Sequence, residues 1–600
     1  MSTLGPELSR NPSHPPMRVV RPPEGPQYTY DIPGDNKSRV RRDLTPFQVF
    51  MITLNATLGV GLYWRAGQIL ELAGPVAVLV SFSAITLLAW AVMQCISEML
   101  GRWPIPGALS VFVSNFVDYE LGIAVGIMYW LTYSVSFAAL IATTAGEIRF
   151  WIGKEAFDVI IIYITIPLVL ILLNCFSVKY YGWIEACFGI IKIIFLFTII
   201  IAMIVLASLP SSHDVTVYNW DNTTAFDANT SSTRGPAFLT AISTAIFAFV
   251  GVEIVAACAL EAKPHIPNIT ANANTEPERT ARTTVMSSQT KFSLVYFSLI
   301  VGAAYTVSGV LTTFSVRRDA CGLPRLSWLN SECSGSSENI KATSVFVLAA
   351  ELANLTELAN AFNFFLVFTA LSSAQTNLYV ASRALFGLAT QLRKSEDRFL
   401  NYLSWFGETN HRGVPIRAVT LSALAFIWVP FLQLQGYRQN TQKQTSMLAS
   451  VGISSFIDIL SELASVGVII VWASQCVAFL SYYHHLKKND EYLRSDSLNY
   501  INRKDHTKYP FRSHFQPILG YLAFTGCLFI LIVLDSASLY NGFYVEPFLS
   551  HFLAVFLFAV LWILLKVYRR RYRSMYFFDV KLAGDGFDET LRRLSELSKQ

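Results

Sequence analysis

Hydrophobic positions in this chain gather into long unbroken runs separated by short polar stretches, with little of the two-residue alternation expected of strands. A helix that crosses a ~30 Å hydrocarbon core needs about 20 apolar residues. Runs of that length fall at 47–71, 75–98, 120–149, 158–177, 183–207, 237–260, 291–315, 357–389, 416–435, 453–481, 515–537 and 547–567. The pattern predicts an all-α polytopic membrane protein of 12 transmembrane helices. It divides the chain into an N-terminal tail, 1–46, expected to be disordered, a transmembrane domain, 47–567, and a C-terminal tail, 568–600.

Composition supports this class: 53% of residues are hydrophobic and 14% charged, against roughly 25% charged in soluble domains. The first 46 residues are polar, Pro-rich and basic and lack the apolar centre of a signal peptide. The net charge of +5 matters less than where the cations sit. Arg39, Arg41 and Arg42 precede the first span, Lys487 and Lys488 follow the tenth, and Arg569, Arg570, Arg571 and Arg573 follow the twelfth. Both tails are therefore expected in the cytoplasm. That places the 208–236 loop outside, where sequons at Asn222 and Asn229 could be glycosylated, and the 316–341 loop outside as well, where Cys321 and Cys333 could form a disulfide. A third sequon, Asn268, falls on the cytoplasmic side. Cys95, Cys175, Cys187, Cys258, Cys476 and Cys527 lie in apolar runs and read as packing residues. No CxxC, HExxH, Walker or GxSxG motif occurs, so neither an enzyme nor a metal or other cofactor is expected. The bilayer is the expected surrounding, and nucleic acid is not an expected partner.

The stretch NATLGVGLYWRAG, 55–67, contradicts its own setting. It places Asn55, Gly59, Gly61 and Arg65 inside a spanning helix, with Gly59 about 18 Å along at 1.5 Å per residue. A break at that depth frees backbone groups and is tolerable only if they line a cavity or are buried in protein. Freed amides at a half-helix N-terminus suit a carboxylate; close helix packing through glycine is the alternative. The sixth span repeats the anomaly in FAFVGVE, 247–253, with Glu253 two residues after Gly251. Interrupted helices in corresponding halves point to a transporter site, and spans one and six are spaced as in a five-plus-five inverted repeat.

These segments carry a specific resemblance. TLGVGLY (57–63), ISEMLGRWPIPGAL (96–109), FVDYELGIAVGIMYW (116–130), YGWIEACFGIIKI (181–193), SSAQTNLYVASRALFGLA (372–389) and HFQPILGY (514–521) match, in order, motifs of the fungal, yeast-type amino acid permeases of the amino acid–polyamine–organocation superfamily. Asn55 and Ala56 stand where that family usually has two glycines, and Val60 replaces its Thr.

The resemblance implies a leucine-transporter-like fold with broken helices 1 and 6. It implies a secondary active transporter that imports amino acids, with a non-transporting sensor or a choline- or polyamine-type permease as alternatives, in the plasma membrane. Amides around Thr57, Leu58, Gly59, Val60 and Gly61 would hold the substrate carboxylate, and carbonyls of Phe247, Ala248 and Val250 its ammonium. Tyr129 and Phe249 would wall the pocket, with Ser373 and Asn377 as polar contacts. Lys192 would stand against the broken first helix in place of sodium and cycle a co-transported proton. Glu253 is expected to be buried beside the sixth-span break, ordering it or binding an amine. Arg65 lies one helical turn beyond Gly61; the sodium-coupled leucine transporter has an arginine at this spacing, whereas yeast-type permeases generally do not. Here it is expected to form an outer gate with Asp458 or Glu462 of the tenth span.

Overall fold

The computed structural model describes residues 42–148, 150–151, 161–221, 223, 225–228, 231–258, 261–263, 288–326, 344–392, 402–431, 453–491, 493, 503, 509, 511–540, 545–570 and 585–599. Nearly all of them are helical. The main helices are α1 (Pro46–Thr57), α2 (Val60–Arg102), α3 (Ala108–Phe116), α4 (Tyr119–Ile148), α5 (Val178–Ala207), α6 (Arg234–Ala245), α7 (Ser288–Ser315), α8 (Val345–Leu352), α9 (Thr356–Leu392), α10 (Ile453–Lys488), α11 (Ile518–Phe529), α12 (Val545–Arg570) and α13 (Asp585–Lys599).

Among the described residues, nine helical stretches are long and apolar enough to cross a membrane. The first of them, Pro46–Arg102, contains the first two predicted spans. What separates those spans is a kink: Ala73 leaves helical geometry, Gly74 takes φ 76°, and Pro75 follows. A positive φ favours glycine, and the proline removes a helix donor, so the bend is written in three consecutive residues. The fourth and ninth predicted spans carry shorter helical segments, Ile161–Thr165 with Ile166–Asn174, and Ile416–Leu424; parts of both spans lie outside the described residues.

Burial sorts the helices into layers. In α10, 94% of the apolar window is buried, and in α4 83%, which puts both at the centre of the bundle. In α12 the figure is 17% and in α5 28%, so these helices turn apolar faces outward. Ile190, Ile194, Phe197 and Ile201 form such a stripe along α5, at helical spacing and with lipid as the matching solvent. Cys187, expected to pack, is exposed on the same helix. The helix buries a different face, which carries Glu185, Gly189 and Lys192.

Local chemistry starts α1 sharply. The Thr45 hydroxyl accepts the Gln48 N–H at 3.3 Å, the Gln48 side chain accepts the Thr45 N–H at 2.9 Å, and Pro46 occupies the first turn. This capping box supplies partners for donors that a helix start otherwise leaves open. Just before it, Leu44 pairs with the segment after the sixth span: Leu44 N–H donates to Glu261 O at 2.9 Å, and Lys263 N–H to Leu44 O at 2.8 Å.

Candidate functional site

The first break lies between α1 and α2. Leu58 adopts φ −71°, ψ 70°, and Gly59 N–H donates to Thr57 O at 2.7 Å; together these are an inverse γ-turn. The second break is a type II turn, with Val250 at −59°, 122° and Gly251 at 115°, −13°. Its third position requires positive φ and hence glycine.

The breaks face one another. A Cβ on Gly61 would stand 2.7 Å from Ala248 Cα, and one on Gly251 3.1 Å from the Ala56 carbonyl carbon. Only residues without side chains let the two backbones meet so closely.

The carbonyls released by the first break are occupied. Lys192 Nζ donates to Asn55 O at 2.7 Å, Leu58 O at 2.8 Å and Ser373 Oγ at 3.0 Å, which uses all three ammonium protons. Ser373 Oγ in turn donates to Asn55 O at 2.9 Å, and the Tyr305 hydroxyl donates to Thr57 O. The Asn55 side-chain amide donates to Glu185 Oε2 at 2.6 Å, and that carboxylate also accepts the hydroxyls of Tyr181 at 2.6 Å and Thr376 at 3.0 Å. Asn55, which stands where the resembling family usually has glycine, thus ties the break to a buried carboxylate.

The amide set is narrower than the sequence suggests. Thr57 lies inside α1, Leu58 N–H bonds Leu54 O at 2.7 Å, and Gly59 N–H is spent in the γ-turn. Val60 and Gly61 open α2, where N–H groups have no intrahelical acceptor, and no side chain caps them. On the other side, Phe247 O accepts Val250 N–H at 3.3 Å. Phe249 packs edge-on against Tyr305 in the core at 5.4 Å. Tyr129 packs edge-on against Tyr133 at 4.9 Å and lines a cavity with Ser110, Ala257 and Arg383. Ser373 belongs to the Lys192 cluster, and Asn377 lies buried one turn further along α9.

Glu253 is fully buried directly after the second break. It accepts the Tyr133 hydroxyl and, at 3.2 Å, the Trp472 indole N–H, so the segment is fastened to both central helices, α4 and α10.

Above the breaks, Arg65 is completely buried. Its guanidinium stands 2.9 Å from Glu462 and 3.8 Å from Asp458 and donates to Ser461 Oγ at 2.6 Å and Gln68 Oε1 at 2.7 Å. It also lies 5.2 Å over the Phe247 ring, at cation–π distance. One cation therefore joins α2, the second break and α10.

A second ion pair lies at the opposite end of the site and was missed in the sequence. Arg383 Nε donates to Glu261 Oε1 at 2.9 Å, the Tyr379 hydroxyl donates to the other oxygen, and the guanidinium stacks 4.2 Å over the Tyr379 ring. The available signal was an arginine at the end of an otherwise apolar run, but its partner lies more than 100 positions away. Cys321 is disulfide-bonded; Cys333, Asn222, Asn229 and Asn268 lie outside the described residues.

Residues 48–576 match the sequence profile of the family described as amino acid permease. A lysine/arginine permease of Candida albicans is 28% identical over 522 residues, 86% of this chain and 78% of the relative. A dicarboxylic amino acid permease of Saccharomyces cerevisiae is 26% identical over 435 residues, 71% and 65% of the two chains. Among solved structures, Mhp1, a nucleobase-cation-symport-1 family transporter in a closed conformation with bromovinylhydantoin bound, aligns at a TM-score of 0.44 and 11% identity, over 94% of this chain and 99% of that one. With the family match running from the first helix past the last apolar one, this chain belongs to the amino acid permease family and is a multi-pass membrane transporter of amino acids, not an enzyme.

Proposed function

We propose that this permease imports amino acids by proton symport across a plasma membrane, with both tails cytoplasmic and twelve spans in a five-plus-five repeat. The observation that carries the coupling is the Lys192 ammonium at the first break. A cation-coupled carrier needs a positive charge to hold unwound carbonyls together; here a lysine supplies it from the protein itself. A neutral amine keeps two N–H groups for three acceptors, so proton loss loosens the break. Entry and exit of a proton thereby change the geometry that presents Val60 and Gly61 to a substrate carboxylate.

The opposed amides and carbonyls recognise what all α-amino acids share, the carboxylate and the ammonium. Relatives named for lysine and arginine and for dicarboxylic amino acids fit that common core, and side-chain choice is left to the surrounding walls. Arg65 with Glu462 closes the outer side, and Glu261 with Arg383 closes the inner side. Both pairs are formed here, which supports reading this conformation as closed on both sides.

The test is radiolabelled uptake of a panel of basic, acidic and neutral amino acids in permease-deleted cells, with and without a pH gradient. Uptake that collapses with a protonophore and ignores sodium is expected. Concentrative uptake that needs sodium and survives the protonophore would sink the coupling scheme, and accumulation of choline or polyamines alone would reassign the substrate class.

A further inference from the structure

Beyond the transmembrane bundle, the sequence DGFDETLRRLSELSK folds as α13. Phe587, Leu591 and Leu594 repeat at four and three residues, and all three are buried in the main core. The charged positions fall on other faces, where Arg592 pairs with Asp588 at 2.7 Å. A short tail helix that buries its apolar stripe in the carrier's core is docked onto it.

What it docks against is specific. The Trp103 indole N–H donates to Ser595 Oγ at 3.4 Å, and the Trp103 loop continues into Pro106–Ser110, which line the cavity shared with Tyr129, Ala257 and Arg383. Arg42 donates to Ser598 O at 3.1 Å, two residues before Leu44, whose backbone is paired with Glu261 and Lys263. The Phe587 ring meets His485, at the end of α10, at 6.0 Å. The helix therefore touches three separate elements around the inner closure: the strap at Arg42–Leu44, the loop that walls the cavity, and the last turn of α10. In the inner-closure scheme proposed above, opening the inner side would separate these elements.

We propose that α13 is a latch that holds the inner side closed, so that its release favours the inward-open conformation. This rests on the reading of Glu261 and Arg383 as the inner closure. A helix present only to complete the fold would have no reason to bridge the strap and the cavity loop, and would leave inner access unchanged when loosened.

The experiment measures how fast a membrane-impermeant maleimide, applied from the side bearing α13, labels an Ala257→Cys reporter in the full-length carrier. Cys175 and Cys187 are replaced by Ser so that the more accessible native thiols stay silent. Leu591→Asp is expected to raise the labelling rate about tenfold, as is the milder pair Phe587→Ala with Leu594→Ala should the first variant fold poorly. Glu261→Gln, which opens the closure directly, is expected to do the same. Fast labelling in Glu261→Gln with wild-type rates in the α13 variants overturns the latch and leaves the closure standing. Wild-type rates in all variants overturn both, and fast labelling in the α13 variants alone overturns a latch acting through Glu261.

Discussion

Replacing Glu462 by Ala removes the acidic group nearest the buried Arg65 guanidinium. The two side chains are 0% and 2% exposed and 2.9 Å apart. Removing one partner of a buried ion pair costs about 3–5 kcal/mol, mostly as the penalty of the charge left behind. Asp458 remains at 3.8 Å and Ser461 and Gln68 keep their hydrogen bonds, so the lower end, about 3 kcal/mol, applies. At about 1.4 kcal/mol per decade this is roughly a hundredfold loss of the closed conformation relative to the outward-open one. Conformational gaps in such proteins are a few kcal/mol, so a shift of that size makes occlusion rare. Initial uptake rates of Glu462→Ala should fall at least tenfold in Vmax/KM, while labelling from outside of a cysteine introduced beside Arg65, at Gln68, should rise. Arg65→Ala should do the same. Once either partner is gone the Arg65–Glu462 interaction is already lost, so in the double variant the losses should not add; the expected coupling is about 1–3 kcal/mol. Asp458→Ala, at the longer distance, should have the smaller effect. Losses that add within about 0.5 kcal/mol for both acids would refute the gate, because independent residues behave that way.

Other perturbations test the remaining parts of the site. Lys192→Met leaves Asn55 O and Leu58 O without their shared donor; pH-gradient-driven uptake should vanish while detergent-extracted protein still runs monodisperse, and wild-type uptake would dismiss the coupling role. Gly251→Ala puts a side chain at φ 115° and 3.1 Å from the Ala56 carbonyl carbon; uptake should drop more than tenfold, and near-normal kinetics would mean the turn can be rebuilt. Glu253→Gln keeps the shape but weakens the bonds to Tyr133 and Trp472; a raised KM is expected, and unchanged kinetics would reduce Glu253 to packing. The chain has eight cysteines, of which the described residues show six free and Cys321 bonded. Thiol titration in denaturant should give six before reduction and eight after, and eight without reductant would exclude the disulfide.

The helical class, the apolar stretches long enough to cross a membrane among the described residues and the positions of both breaks follow from the sequence, because each depends on residues near one another in the chain. Twenty apolar residues demand a helix in lipid wherever they occur, and a glycine at φ 76° before Pro75, or at φ 115° in the type II turn, marks its own interruption. Arg65, Lys192 and Glu253 stand out for a similar reason: an ionisable group in an apolar run must find a partner. Which partner it finds is not a local matter. The Leu58 amide is consumed by the end of α1 and the Gly59 amide by the γ-turn, a fact fixed by backbone angles rather than residue identity. The choice of Glu462 over Asp458 rests on less than an ångström. Glu261 meets Arg383, and Asn55 meets Glu185, only because the bundle brings together helices more than 100 residues apart. The amphipathic stripe of α13 is visible in the chain, yet its place against Trp103 and Arg42 is decided by the folded bundle. Hydrophobic length and backbone permissiveness are carried by neighbouring residues; pairing of buried charges is a property of the packed whole.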